Sequence, residues 1–341
     1  MVVTYAKKEF ADWPAKNAYL ESLKPVKAWE DLGETFEPLP KADSPDAFCK
    51  VTILYISELY ANKNWIERSF PDGTTKRALF DAGVRRGASF TNEVIKKMAA
   101  FFKISAPFSA SELLAEVGVK PEEISGVYIS HMHFDHCGDI GEFPKSVEFG
   151  IGPNVPKEPE NLAPLLDLPV EALQGRNLKI MEKVRGKVGP FDILEDVFGD
   201  GSFLILASQG HTPHHVSGLV RVSAEGDGQY ILMGGDTCHH ASMLFPHPKT
   251  GETAPDNLTA EYHPERAPGC CCVNHEDLES SYKVISRTAR MEREPNVLVA
   301  LAHDGTIAPL LGHRLTYRFE PVKDFIRFKQ RDMSGIHDDV E

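Results

Sequence analysis

The segment His131-Met132-His133-Phe134-Asp135-His136 crowds three imidazoles and a carboxylate into one short stretch. It follows Gly126-Val127-Tyr128-Ile129-Ser130, an apolar run that reads as a buried strand, so it lies on the loop at that strand's end. Side chains two apart in an extended backbone point the same way, which aims His131 and His133 at one point. Asp135 and His136 can supply a second set of nitrogen and oxygen donors. Such donors suit Zn²⁺, and also Fe, Mn or Co. Binding two adjacent ions requires further ligands from elsewhere. Three metal-competent residues follow other strand-like runs: His211 in Gly210-His211-Thr212-Pro213, Asp236 after Gly234-Gly235, and His303 beside Asp304. Ligands delivered by four strand ends onto one sheet edge make a rigid centre.

The strands and helices that carry these residues can be outlined from the sequence. Strands are expected over 51–56, 77–80, 126–130, 203–207, 216–222, 230–233 and 297–302, with Glu225-Gly226-Asp227-Gly228 turning a hairpin. Helical periodicity covers 92–102, 109–116 and 276–292. This order of strands and helices indicates an α/β sandwich in one principal domain, 46–320. Residues 1–45 carry five prolines and read as an N-terminal arm, mobile or packed on a partner subunit. Residues 153–192, proline-rich and then basic, read as a lid-like insertion, and 321–341 as a C-terminal tail.

Charge narrows the partners. The 341 residues carry a net charge of −13 with no basic stripe, which excludes nucleic acid as a natural substrate. No run is apolar enough to span a membrane and the N-terminus lacks a leader-like apolar core, so a cytoplasmic protein is expected. Six cysteines, with Cys270, Cys271 and Cys272 adjacent, do not make a disulfide framework and read as reduced thiols. His275 beside that triplet makes a weak soft-metal motif, since consecutive cysteines cannot all face one ion. Phe134, Leu244 and Phe245 flank the motifs as pocket walls or core residues.

The motif His131-x-His133-x-Asp135-His136, with its downstream His211, Asp236 and His303, resembles the signature of the metallo-β-lactamase superfamily over residues 50–310. The resemblance implies an αββα sandwich with two divalent ions at one sheet edge, Zn²⁺ being the first expectation. It implies His131, His133 and His211 on one ion and Asp135, His136 and His303 on the other, with Asp236 bridging. Asp81-Ala82-Gly83 resembles the family's early Asp-x-Gly element, near the metals without being a ligand. Two departures stand out. His214 occupies a position where the family often has Gly, and His239 one where its quorum-signal lactonases usually hold Tyr. His239 either takes over the donor role of that Tyr, which makes it a candidate catalytic residue with Asp135, or lies behind the ligands.

The function implied is opening of a cyclic ester or amide. A bridging water with its pKa lowered to about 7 attacks the ring carbonyl, and Asp135 orients it and shuttles its proton. The partner is then a small lactone or lactam, with homo-oligomerisation left open. The alternatives within the superfamily are a thioesterase resembling glyoxalase II and a mononuclear-iron enzyme resembling persulfide dioxygenases.

Overall fold

Why the chain folds in layers is visible in the run Phe203-Leu204-Ile205-Leu206-Ala207, every residue of which is buried. Side chains alternate across a strand, so a run apolar throughout needs cover on both faces. Phe203, Ile205 and Ala207 point into a core shared with Phe80, Tyr128, Val216 and Met233. Leu204 and Leu206 point the other way, into a core shared with Val284, Ile285 and Ala289.

The computed structural model describes residues 29–55, 62–101, 103–239, 241–244, 275–312 and 314–332. One seven-stranded sheet contains β1 (Lys50–Tyr55), β2 (Asn62–Ser69), β3 (Thr75–Phe80), β4 (Gly126–Tyr128), β5 (Glu148–Ile151), β6 (Leu178–Ile180) and β13 (Thr316–Arg318), in the order β13-β1-β2-β3-β4-β5-β6. The facing six-stranded sheet contains β7 (Gly186–Val188), β8 (Phe191–Asp196), β9 (Phe203–Ala207), β10 (Val216–Ser223), β11 (Gln229–Gly235) and β12 (Val297–Leu301), in the order β12-β11-β10-β9-β8-β7. The main helices among the described residues are α1 (Glu93–Phe101), α2 (Ala110–Glu116), α3 (Leu278–Glu292) and α4 (Pro321–Lys329). Leu113 and Leu114 of α2 cover the outer face of the first sheet, against Leu79, Val127 and Phe149. With α3 over the second sheet, the expected αββα sandwich is the observed one.

Strand direction decides where the chemistry gathers. β3 and β4 are parallel, as are β11 and β12. β10 runs antiparallel to both β9 and β11, so β9 and β11 point the same way. Within each sheet the loops after β3 and β4, and those after β9, β11 and β12, therefore open at one end, and the Val216 amide, donating to Ser130 O at 2.8 Å, joins the two ends in one rim with the loop that enters β10. Helix ends follow local rules. Ser109 and Glu112 form a reciprocal capping box at α2, and Asp277 accepts the Ser280 amide at 3.1 Å to start α3.

Three expected boundaries differ from the structure. The stretch read as a lid supplies β6, β7 and the start of β8, which finish edges of both sheets. Its basic residues serve that edge: Lys179 lies 3.4 Å from Glu148 and 3.1 Å from Glu195, and Arg185 3.0 Å from Glu195. The stretch read as a tail begins with α4, whose Phe325 and Phe328 are buried in the inter-sheet core. The described part of the arm, from Trp29, packs on its own chain. Glu37 exchanges two 2.8 Å backbone bonds with Gly189, and Arg287 Nε donates to Glu34 at 2.7 Å. Strand β2 was hidden from the sequence by its polar alternation. Its buried Arg68 is matched by Asp200 at 2.7 Å.

Arg221 on β10 is fully buried and donates to the carbonyls of Ala47 (2.6 Å), Pro40, Lys41 and Gly201 (each 3.2 Å). Arg221→Met would remove the donor from the Ala47, Lys41 and Gly201 carbonyls, while the Pro40 carbonyl keeps the Tyr230 hydroxyl. A loss of about 3 kcal/mol is expected, read as a lower urea midpoint at unchanged m-value.

Candidate metal centre

Asp81, at the end of β3, organises the rim. Its φ of 62° lies in the left-handed region, which Asp and Asn tolerate best among side-chain-bearing residues. The turn drives its carboxylate under the loop after β4. There it accepts the Ser130 amide at 2.6 Å and the Ser130 hydroxyl at 3.0 Å, with His136 Nδ1 at 2.9 Å. Ser130 Oγ in turn lies 3.1 Å from His131 Nδ1. A proton on each Nδ1 satisfies this network, and the Nε2 lone pairs of both His131 and His136 then face away from Asp81 into the centre.

What they face is a convergence of donors. His131, His133, His211 and Asp236 form one group whose ligand atoms all lie within 4.8 Å of one another, and Asp135, His136, Asp236 and His303 form another. In the first, His211 Nε2 lies 3.2 Å from His131 Nε2 and 3.0 Å from His133 Nδ1, and Asp236 Oδ2 lies 3.6 Å from His211 Nε2. In the second, Asp236 Oδ1 lies 3.1 Å from His136 Nε2 and 3.4 Å from His303 Nε2, while Asp135 Oδ2 is 3.3 Å from His303 Nε2. Asp236 is shared, one oxygen to each group. All seven residues singled out as ligands in the sequence are brought together.

The donor set fits divalent cations. Burial holds His131 and His211 well below the usual histidine range, so both present neutral nitrogens. Burial opposes charge on Asp236 and Asp135, but His136 and His303 overcome it and keep both carboxylates ionised. Burial likewise opposes charge on His303, yet Asp236 and Asp135 raise its pKa well above the usual value. Neutral imidazoles and ionised carboxylates are the forms that coordinate metal, and His303 would release its proton to an incoming ion. Asp236 Oδ1 is buried with only the Nε2 atoms of His136 and His303 close by, at 3.1 and 3.4 Å. A carboxylate oxygen crowded by two ring nitrogens inside the protein is an arrangement that a cation between them satisfies.

Two further histidines, from the loop entering β10, tie the rim together through backbone amides. His214 Nε2 accepts the Met132 N–H at 3.1 Å, and His215 Nε2 accepts the Asp236 N–H at 3.0 Å. His215 Nδ1 faces the Ser208 carbonyl at 3.0 Å, which sets its tautomer. Close approach depends on Gly235, with φ of 55°, because a Cβ there would meet His215 Nε2 at 2.8 Å. Burial pushes His214 down to about 3 and His215 to about 4. The unfolded chain, with histidine near 6.5, then takes up protons first as pH falls. The stability due to neutral His214 is full above about pH 6.5 and declines by about 1.4 kcal/mol per unit below it. His214→Gln keeps an acceptor that does not titrate. Urea titrations of metal-free protein should show wild type losing more stability than this variant between pH 7 and 5.

The remaining site expectations divide. His239 is at the centre: its Nε2 lies 3.3 Å from Asp236 Oδ2 and its ring stacks on His303 at 5.5 Å and 18°. His275, set aside in the sequence as a neighbour of the cysteine triplet, is buried with its ring 5.4 Å from His211 and 5.5 Å from His239. It arrives because Glu276 N donates to His211 O at 2.9 Å and Asp277 N to Gly210 O at 3.0 Å, long-range bonds with no local signature. Phe134 meets Phe90 edge-on at 5.4 Å in a small cluster with Val84 and Ala99. Leu244 is a core residue beneath α3. Cys49, Cys137 and Cys238 are buried thiols; Phe245, Cys270, Cys271 and Cys272 lie outside the described residues. Among the described residues no helix is long and apolar enough to cross a membrane.

Residues 72–236 match the family model described as the metallo-beta-lactamase superfamily, a span that contains Asp81 and every ligand candidate except His303. The chain is similar to the cytochrome P450 monooxygenase mpaDE of Penicillium roqueforti, at 31% identity over 68% of this chain and 29% of that protein. It is also similar to the gamma-lactamase MBL2 of Gibberella moniliformis, at 35% identity over 50% of this chain and 74% of the relative. A third relative, the N-acyl homoserine lactonase AttM of Azorhizobium caulinodans, is 29% identical over 32% of this chain and 41% of its own. The chain thus spans less than a third of the length of the first of these.

Proposed function

Since the chain belongs to the metallo-β-lactamase superfamily, we propose that it is a metal-dependent hydrolase that opens a small cyclic amide or ester. The observation that carries this reading is the convergence of the two ligand groups on the shared carboxylate of Asp236. The γ-lactamase and lactonase names of two relatives support a lactam or lactone ring as the substrate class. The lactam is favoured, because the γ-lactamase resembles this chain more closely and over a larger part.

His131, His133 and His211 would hold one ion and Asp135, His136 and His303 the other, with Asp236 contributing to both. Zinc suits this nitrogen-rich set. Bound there, the ions supply an acidified water as nucleophile and an electrophilic pole for the ring carbonyl. The protein's own part is positioning and proton transfer. Asp135 takes a proton from the attacking water on Oδ1, the oxygen not directed at His303, and delivers it to the ring nitrogen or oxygen as its bond to the carbonyl carbon breaks. Asp236 and the buried histidines hold their donors fixed while charge develops on the carbonyl oxygen. His239 supplies a donor to that oxygen at the rim. His239→Ala is expected to lower kcat by about 10²-fold with metal content unchanged, and His239→Tyr to recover much of the loss, as steady-state kinetics would show.

The reaction itself is tested with mixed lactones, lactams and thioesters, comparing chelated and metal-loaded protein by mass spectrometry. Gain of one water on a ring compound, abolished by the chelator, is the expected result. Metal-loaded protein that alters no ring compound would contradict the reading.

A further inference from the structure

The loop that carries His303 is pinned by a residue from the far end of the described chain. Asp304, next to His303, is fully buried. Its Oδ1 accepts the Thr306 amide at 2.9 Å, and its Oδ2 lies 3.2 Å from Arg331 Nη2. Arg331 is itself buried, just beyond α4. Its Nε donates to Thr306 Oγ1 at 2.7 Å, its Nη1 to Phe328 O at 3.0 Å, and its Nη2 also to Val299 O of β12 at 3.4 Å. One guanidinium thus joins the end of α4, strand β12 and the turn after His303. Glu292 Oε1, at 4.0 Å, is a more distant anion. None of these atoms belongs to either ligand group.

We propose that Arg331 is a positioning residue for the metal centre: by fixing Asp304 and Thr306 it holds the His303 imidazole over Asp135 and Asp236. This rests on the two-ion reading of the site and goes beyond it, because it assigns a function to a stretch read from the sequence as a C-terminal tail. The planar guanidinium matters, since its donors reach acceptors lying in different directions. Lysine keeps the charge but cannot span Asp304, Thr306 and Phe328 together. Loss of Arg331 releases His303 selectively. His131, His133 and His211 are held by other loops and are untouched.

The test is Zn²⁺ titration of the full chain against a competing chelator, for wild type, Arg331→Met, Arg331→Lys and Thr306→Val. Two ions are expected in wild type. In Arg331→Met one ion should bind as in wild type, within about threefold, while the other weakens by about 10- to 100-fold, the usual consequence of losing support behind a ligand. Arg331→Lys should be intermediate. Thr306→Val, which removes only the bridging hydroxyl and folds even if Arg331→Met does not, should weaken the same ion severalfold. Arg221→Met is the control, a similarly buried arginine whose bonds go to Ala47, Pro40, Lys41 and Gly201 and not to the turn after His303. It should lower the melting temperature while both ions bind as in wild type. Equal affinity of both ions in wild type and all three site variants would overturn the positioning role alone. A wild-type chain that binds no second ion would overturn the two-ion reading and this role with it.

Discussion

Asp236→Asn is expected to yield a folded protein whose turnover is lower by at least about 10³-fold and which retains neither ion after dialysis. The carboxylate is the one group common to both ligand sets, with Oδ2 toward His211 and Oδ1 toward His136 and His303. Asparagine has the same shape but presents an amide and no negative charge, so one ion meets an N–H₂ and the other a neutral carbonyl. Loss of one well-placed electrostatic contact in a water-poor site typically costs about 2.7–4 kcal/mol of barrier, and here two are lost together. The fold should survive. The Asp236 main-chain N–H still reaches His215 Nε2 at 3.0 Å, and Gly235 still accepts the Ala302 amide at 3.0 Å. Elemental analysis, circular dichroism and kinetics on one preparation check all three points. Full metal content in the variant would refute the bridging role.

Asp81→Asn should have the second largest effect although Asp81 is no ligand. Asparagine accepts the left-handed backbone and can still receive the Ser130 amide. Its Nδ2, however, would face His136 Nδ1 and the Ser130 hydroxyl, where a carboxylate oxygen now accepts. The proton of His136 is then driven to Nε2, the atom directed at Asp236. Through Ser130 the same change reaches His131 in the other ligand group. Metal affinity is expected to fall by about 10- to 100-fold and stability by about 1–3 kcal/mol. Chelator competition and urea unfolding measure the two effects separately. Unchanged affinity with reduced stability would mean that Asp81 supports the turn without setting the tautomers.

These two residues show how unevenly the site could be read from the chain. Asp236 was legible because a metal-competent residue after an apolar strand, in step with the His131 to His136 motif, has a narrow chemical meaning. Asp81 could be placed near the centre only by resemblance, and its hydrogen bonds to Ser130 and His136 bridge 49 and 55 positions. The central strands were legible for a simple reason. Runs such as Phe203–Ala207 are covered on both faces and are apolar throughout. Strands β6, β7 and β8 were not, because they mix charges with short apolar pieces. The same holds for α4, which reads as polar until Phe325 and Phe328 are seen inside the core. His275, His215 and Arg331 carry no local signal. Each acts through a contact that exists only once distant strands share a rim.

The origin of the oxygen atom in the product decides whether this rim opens a ring with water. Metal-loaded protein would be incubated with lactams and lactones in ¹⁸O-labelled water under ordinary air, and the products weighed. Hydrolysis predicts a single ¹⁸O in the new carboxylate of a ring-opened product, and no labelled product after chelation. A product whose added oxygen comes unlabelled from air would contradict it and identify an oxygenase instead.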